Sequence, residues 1–374
     1  MENQPGNMPK LFHSLLPVSL FLCSCLFDSP DKAAPKTNFD FSLLENLENP
    51  LSKWHAIPKE KTLVGVKFAF RTMNYASETD SNITAFAAEA GGLPAVAGAY
   101  FDISAQPGNL RFFLEAVQAR NGIPFVTFDP KDFDHPDIAY QRTFIAKINR
   151  QEFDGELKAI AQTLKAFARP VLFRFAHEMN GDWYPYSGVF AGGKADSNGN
   201  GKADGPENYA LAWRHVHDLF GEEGVTNLVW IFCPNYETFP NEAWNQPFEY
   251  FPGWDYVDML SVDTYESPDK RIVPLEQALD VFYNQMGLYL EAQQDLPGFK
   301  LKPFGLSEFG TYRPDARDKA AWYGAALQAI AGNGRIKLHV LYNARNGVKD
   351  FSIAGLGESL KAAFASERFL YGPI

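Results

Sequence analysis

Residues 170–188 read PVLFRFAHEMNGDWYPYSG and change character within a few positions. Val171–Phe175 is an apolar run broken only by Arg174, the pattern of a strand buried on both faces. An imidazole, a carboxylate and an amide then follow at once, in His177, Glu178 and Asn180, with Trp183, Tyr184 and Tyr186 just beyond. Aromatic faces beside a carboxylate suit a sugar ring, which offers apolar C–H faces and a polar rim. Residues 302–310, KPFGLSEFG, repeat the design with Glu308. Each glutamate stands where an apolar strand gives out. Two carboxyls facing one another across a cleft are what retaining glycoside hydrolysis requires, one as acid and one as ionised nucleophile, about 5–5.5 Å apart.

Such a pair needs a scaffold that brings distant strand ends together. Eight apolar runs have strand length: 63–70, 94–101, 123–128, 171–175, 227–232, 257–262, 302–307 and 336–342. Helical patterns separate them at 82–90, 109–120, 153–168, 206–220, 275–294 and 315–330, and another closes the set at 355–365. The helix over 153–168 places apolar residues at 157, 160, 161, 164 and 167 on one face. The fifth and sixth strands are joined by an aromatic-rich stretch without a clear helix, which is expected to line the cleft. Alternating strands and helices imply a parallel sheet. Eight strands over this length predict a (β/α)8 TIM barrel in a single domain. No G-x-G-x-x-G follows the first strand, which disfavours a dinucleotide fold. Strands four and seven lie across such a barrel from each other, and barrel sites form at the C-terminal strand ends. Asp102, Asp129, Asn235, Asp263, Tyr265 and Asn343 stand at other strand ends.

The 374-residue chain is 46% hydrophobic and 21% charged, a globular composition. A net charge of -11 argues against nucleic acid and against a polybasic membrane surface. The 15% aromatic content, with 32 Phe, exceeds what a core needs and hints at stacking surfaces. Of three cysteines, Cys23 and Cys25 fall near the start and Cys233 in a strand end, so no disulfide framework exists. Residues 11–22 form a short apolar run after Lys10, read as a signal segment and too short to span a bilayer. Leu22-Cys23-Ser24-Cys25 resembles a bacterial lipobox, which implies a lipid on Cys25. The expected organisation is a signal peptide over 1–25, a linker over 26–50 and a catalytic domain over 51–374. An exported monomer is expected, either anchored to a bacterial membrane through its lipid alone or else secreted or periplasmic. His215 and His217 are two apart on a helix and face different sides, and no strand closes with H-x-H, so a catalytic metal is not expected.

The fourth-strand segment RFAHEMNGDW resembles the matching motif of glycoside hydrolase family 26. GLSEFG, YVDMLSVDTYES and PENYALAWRHVHDLF resemble its nucleophile strand, its sixth strand and the helix after its fourth strand. The resemblance covers roughly residues 60–350. It implies Glu178 as acid/base and Glu308 as nucleophile, with no catalytic cofactor. His177 and Trp183 would hold the sugar beside the cut, and Tyr265 would orient Glu308. Arg174 and Asn235 join them as candidate substrate-binding residues. The implied activity is endo-acting hydrolysis of β-1,4-mannan, with a mixed-linkage β-1,3-1,4-glucanase as the alternative. Two departures bear on that choice: Tyr-Pro-Tyr-Ser after Trp183, where mannanases carry more tryptophan, and Leu341-Tyr342-Asn343-Ala344, where Trp-Arg is expected. A surface lipoprotein that binds glycan without cutting it is the reading of another class, and it would dispense with one carboxylate.

Residues 196–207 match a calcium-binding EF-hand loop at every ligand position. These are Asp196, Asn198, Asn200, the Lys202 carbonyl, Asp204 and Glu207, with glycine at Gly201. A structural calcium is expected there, pinning the loop after strand four to the following helix. The same residues also suit a solvated turn.

Overall fold

Eight parallel strands close on themselves in the computed structural model, which describes residues 35–70, 74–104, 107–132, 135–267 and 273–374. They are β1 Thr62–Lys67, β2 Val96–Asp102, β3 Ile123–Asp129, β4 Val171–Phe175, β5 Leu228–Phe232, β6 Met259–Glu266, β7 Phe304–Thr311 and β8 Ile336–Tyr342. Each pairs with the next, and β8 returns to β1 from Leu63↔Leu338 to Lys67↔Tyr342. Closure leaves no sheet edge to cover. The expected TIM barrel is the fold.

Alternation along the strands sends every second side chain into the lumen. Leu63, Phe125, Leu172, Val229, Ile231, Met259, Leu338 and Val340 fill it as one apolar cluster. A larger cluster lies between strands and helices. The helix Asp154–Phe167 buries Leu157, Ile160, Ala161 and Leu164 on the face its periodicity announced. Both faces of each barrel strand are therefore buried, which is why the strands read as unbroken apolar runs.

Two regions depart from the sequence reading. Between β5 and β6 only two short 3-10 turns form, Ala243–Asn245 and Pro247–Tyr250. Phe248, Phe251 and Trp254 of this connection pack outside the barrel and not in the cleft. Phe248 stacks on Tyr289 and meets Phe232 and Phe282, while Trp254 meets Phe251 and Phe299. These large rings cover the sheet where a helix would otherwise sit, because each buries enough apolar area to replace several aliphatic residues. The second departure concerns the linker. Residues 35–50 are laid against the barrel: Leu44 is buried, Asn49 donates to the Lys337 carbonyl at 3.0 Å, and Thr37 donates to Glu291 at 2.7 Å. The signal segment, Cys25 and linker residues 26–34 lie outside the described residues. Among the described residues no helix is long and apolar enough to cross a membrane.

Candidate active site

Glu308 lies within β7, in a cleft of donors supplied by four other strands. Its Oε1 accepts from the Arg174 guanidinium, from Lys67 Nζ at 3.2 Å and from the Tyr100 hydroxyl at 2.6 Å. Its Oε2 accepts from the Tyr265 hydroxyl. Burial pushes the Glu308 carboxyl upward, but the charges of Arg174 and Lys67 outweigh it and hold the group well below the usual carboxylate range. Glu308 is therefore ionised at neutral pH. Arg174 also grips both oxygens of Asp263, at 2.6 and 2.8 Å, and its Nε donates to Thr127 at 3.1 Å. Thr127 and Arg174 are register partners across β3 and β4, so the pairing sets that contact.

Glu178 sits just past β4, where the chain turns. Ala176 and Glu178 take positive φ of 46° and 54°. Non-glycine residues adopt that region at a cost, and it is common where a side chain must be aimed. The Glu178 amide donates to the Cys233 carbonyl, which ties the turn to β5. Its Oε1 accepts from Asn235 Nδ2 at 2.7 Å and its Oε2 from the Trp183 indole at 2.6 Å. Gly181 makes that indole contact possible, since a Cβ there would lie 2.4 Å from the Trp183 ring. Among the described residues no cation pairs with Glu178. Burial first, and the Glu308 charge second, raise its pKa to about 7, against the two hydrogen bonds that favour the carboxylate. The two glutamates are chemically alike, and their surroundings set their protonation apart, the condition for an acid and a nucleophile in one cleft.

His177 Nδ1 lies 3.0 Å from Asp129, and the Tyr186 hydroxyl donates to the same carboxylate at 3.0 Å. Burial and the Arg174 charge lower the imidazole to about 4, so it is neutral at pH 7. The Asp129 contact assigns the proton to Nδ1 and leaves Nε2, which has no partner among the described residues, as an acceptor. Trp183 is 46% exposed, whereas Tyr186 is fully buried and holds His177 and Asp129. Tyr184 stacks on Tyr186 at 4.9 Å and is covered by Lys131.

His177, Asp263 and Glu308 hold donor atoms within 4.8 Å of one another. The Arg174 guanidinium already bridges the two carboxylates, so a resident cation would have to compete with a fixed positive charge. The calcium-loop residues gather differently. Asp196 accepts from the amides of Asn200 and Gly201, both at 3.0 Å. Glu207 accepts from the side-chain amides of Asn198 and Asn200, and Lys202 N donates to Asn200 Oδ1. Asp204 caps Ser197 instead, through its amide and hydroxyl. The loop is thus folded about its ligand residues, but Asp196, Asp204 and Glu207 do not converge as a carboxylate trio.

Sequence reasoning did not single out Lys67 or Tyr100. A charge ending the apolar strand TLVGVK was the available signal, the same one Arg174 gave in β4. Sequence reasoning noted the amide of Asn180 without giving it a role; Asn180 is fully buried and donates to the carbonyls of Asn235 and Glu237 while accepting from Asn235 N. Asn180 thereby fixes the loop that carries Asn235 onto Glu178.

Residues 137–290 match the model of glycosyl hydrolase family 26. Endoglucanase H of Acetivibrio thermocellus is 26% identical over 254 residues, 68% of this chain and 25% of its own length. Mannan endo-1,4-beta-mannosidase A and B of Caldalkalibacillus mannanilyticus is 29% identical over 161 residues, 43% of this chain and 25% of its own. The chain spans about a quarter of the length of these curated relatives. Among solved structures, a modular endo-beta-1,4-mannanase from Cellulomonas fimi superposes with a TM-score of 0.60 at 19% identity, covering 90% of this chain and 76% of that one. The Bacteroides ovatus GH26 beta-mannanase superposes at 0.56 and 18%, covering 88% of this chain and 94% of that one. At such identities these superpositions speak for the fold. Motifs, family model and relatives point the same way: the chain is similar to glycosyl hydrolase family 26 over residues 137–290, and its barrel has the fold of that family's solved members.

Proposed function

We propose that this barrel hydrolyses β-1,4-mannan-type polysaccharide internally, with retention of anomeric configuration. One observation carries the proposal: two cations, Arg174 and Lys67, contact Glu308, while among the described residues Glu178 in the same cleft is held by an amide and an indole, Asn235 and Trp183. In the first step Glu308 Oε2 bonds to the anomeric carbon as Glu178 passes its proton to the departing glycosidic oxygen. In the second, Glu178 takes a proton from water, the water oxygen bonds to the anomeric carbon, and the bond to Glu308 breaks. His177 Nε2 would accept from a sugar hydroxyl, and Trp183 would supply a stacking face. The relatives named as mannanases support the choice of substrate. A mixed-linkage β-glucanase is the second reading, favoured because the endoglucanase relative aligns over 68% of this chain and because β8 ends in Tyr342-Asn343.

Initial rates on soluble mannan and on barley-type β-glucan, measured side by side with Glu308→Gln as control, test the proposal. Faster cleavage of mannan, abolished in the variant, is expected. Faster cleavage of glucan would select the second reading, and binding without cleavage of either would select a glycan-binding lipoprotein. The same reading takes the barrel as a monomer at a bacterial membrane surface, anchored through lipid on Cys25. It also takes residues 196–207 as a structural calcium loop with no part in bond cleavage.

A further inference from the structure

Lys67 is fully buried at the end of β1, and the steps above give it no part beyond its charge beside Glu308. Its Nζ lies 3.2 Å from Glu308 Oε1, donates to Thr127 Oγ1, and stands 4.1 Å from the Phe125 ring centroid. To get there the side chain passes Gly98 of β2, where a Cβ would meet Lys67 Cε at 3.0 Å and the Phe125 carbonyl at 3.3 Å. A neighbouring strand has thus left a slot for it. Burying an ammonium costs several kcal/mol unless it is paired. The lumen below is filled with leucine, valine and isoleucine, so packing alone would be better served by an apolar residue. Arg174 is shared between Glu308 and Asp263, so Lys67 is the second cation beside a pair of carboxylates.

The two oxygens of that carboxylate are not equivalent. Among the described residues, Oε1 receives Arg174, Lys67 and Tyr100, and Oε2 receives Tyr265 alone. A carboxylate oxygen has about two lone-pair directions. Oε1 is saturated, and Oε2 keeps one direction free. We propose that Lys67 is a positioning residue that locks Oε1, presents Oε2 to the anomeric carbon, and stabilises the Glu308 carboxylate as it leaves in the second step. This rests on the retaining reading above. When the bond between Oε2 and the anomeric carbon breaks, its electron pair returns to the carboxylate. The charge then falls in part on Oε1, beside the ammonium. Lys67 therefore lowers the barrier to deglycosylation more than to glycosylation.

Lys67→Met, with an aryl β-glycoside bearing a good leaving group, tests this. The expected result is a burst of released phenol equal to the enzyme present, then a steady state slower by roughly 10- to 100-fold, the weight of one hydrogen bond to a charged group. KM should fall along with kcat, because the glycosyl-enzyme accumulates. A loss of kcat with KM unchanged and no burst, or no change at all, would overturn the proposal. If Lys67→Met does not fold, Gly98→Ala decides. It crowds Lys67 but keeps its charge, and should shift kcat and KM in the same direction by less. Wild-type enzyme that turns over no glycoside or glycan would remove the retaining reading itself, which the wild-type arm shows separately.

Discussion

Glu178 accepts from an amide and an indole, whereas Glu308 accepts from a guanidinium, an ammonium and two phenols. That difference in partners does the work that a difference in residue type would do elsewhere. It also fixes a pH dependence. Glu178 must be protonated to act as an acid, so kcat/KM should fall as pH rises through about 7. Asn235 stabilises its carboxylate form, and Asn235→Ala should therefore raise its pKa. The alkaline limb of the kcat/KM profile would then move to higher pH, by up to about one unit. A limb moved to lower pH would contradict the assignment. Glu178, Glu308, Arg174 and Tyr265 were legible in the sequence because each interrupts or closes an apolar run. Lys67 and Tyr100 were not, because their partners are more than 200 residues away and only barrel closure brings them together.

Strand and helix types were largely legible, since both faces of a barrel strand are apolar and the helices carry a clear period. The ends were not. β6 and β7 continue to Glu266 and Thr311, beyond the apolar runs, because Arg174, Tyr265 and Arg313 satisfy the polar side chains that enter the strand. A polar residue reads as a loop until its buried partner is known. The turn after β4 is the functional counterpart. Its two left-handed residues aim Glu178, and Asn180 clamps it to the neighbouring loop. Further along, residues 196–207 end in the helix Asp204–Glu222, with Glu207 in its first turn. If calcium fills the loop it binds the folded form, and melting temperature should rise with calcium and fall with chelator. Asp196→Ala should abolish that response. Identical melting curves for both proteins in both conditions would leave the loop a turn held by its own side chains.

Over the whole molecule, one closed sheet brings donors from four other strands to Glu308 in β7. The order of strands was legible from their alternation with helices. The aromatic cover between β5 and β6 was not, since the same rings would suit a cleft. Residues 35–50, laid against the barrel, show that the domain begins before its first strand. An anchor at Cys25 would then lie only a short way ahead of the packed barrel. In a bacterial host Cys25→Ser should move the protein from membrane to soluble fraction with turnover unchanged; a wild type found entirely soluble and without lipid would refute the anchor. The central claim is retention by Glu178 and Glu308. Proton NMR of the first product released from mannan, or from β-glucan if that is the better substrate, reads it directly before mutarotation. The β anomer should appear first and the α anomer should grow in later, whereas an initial α anomer would contradict the account.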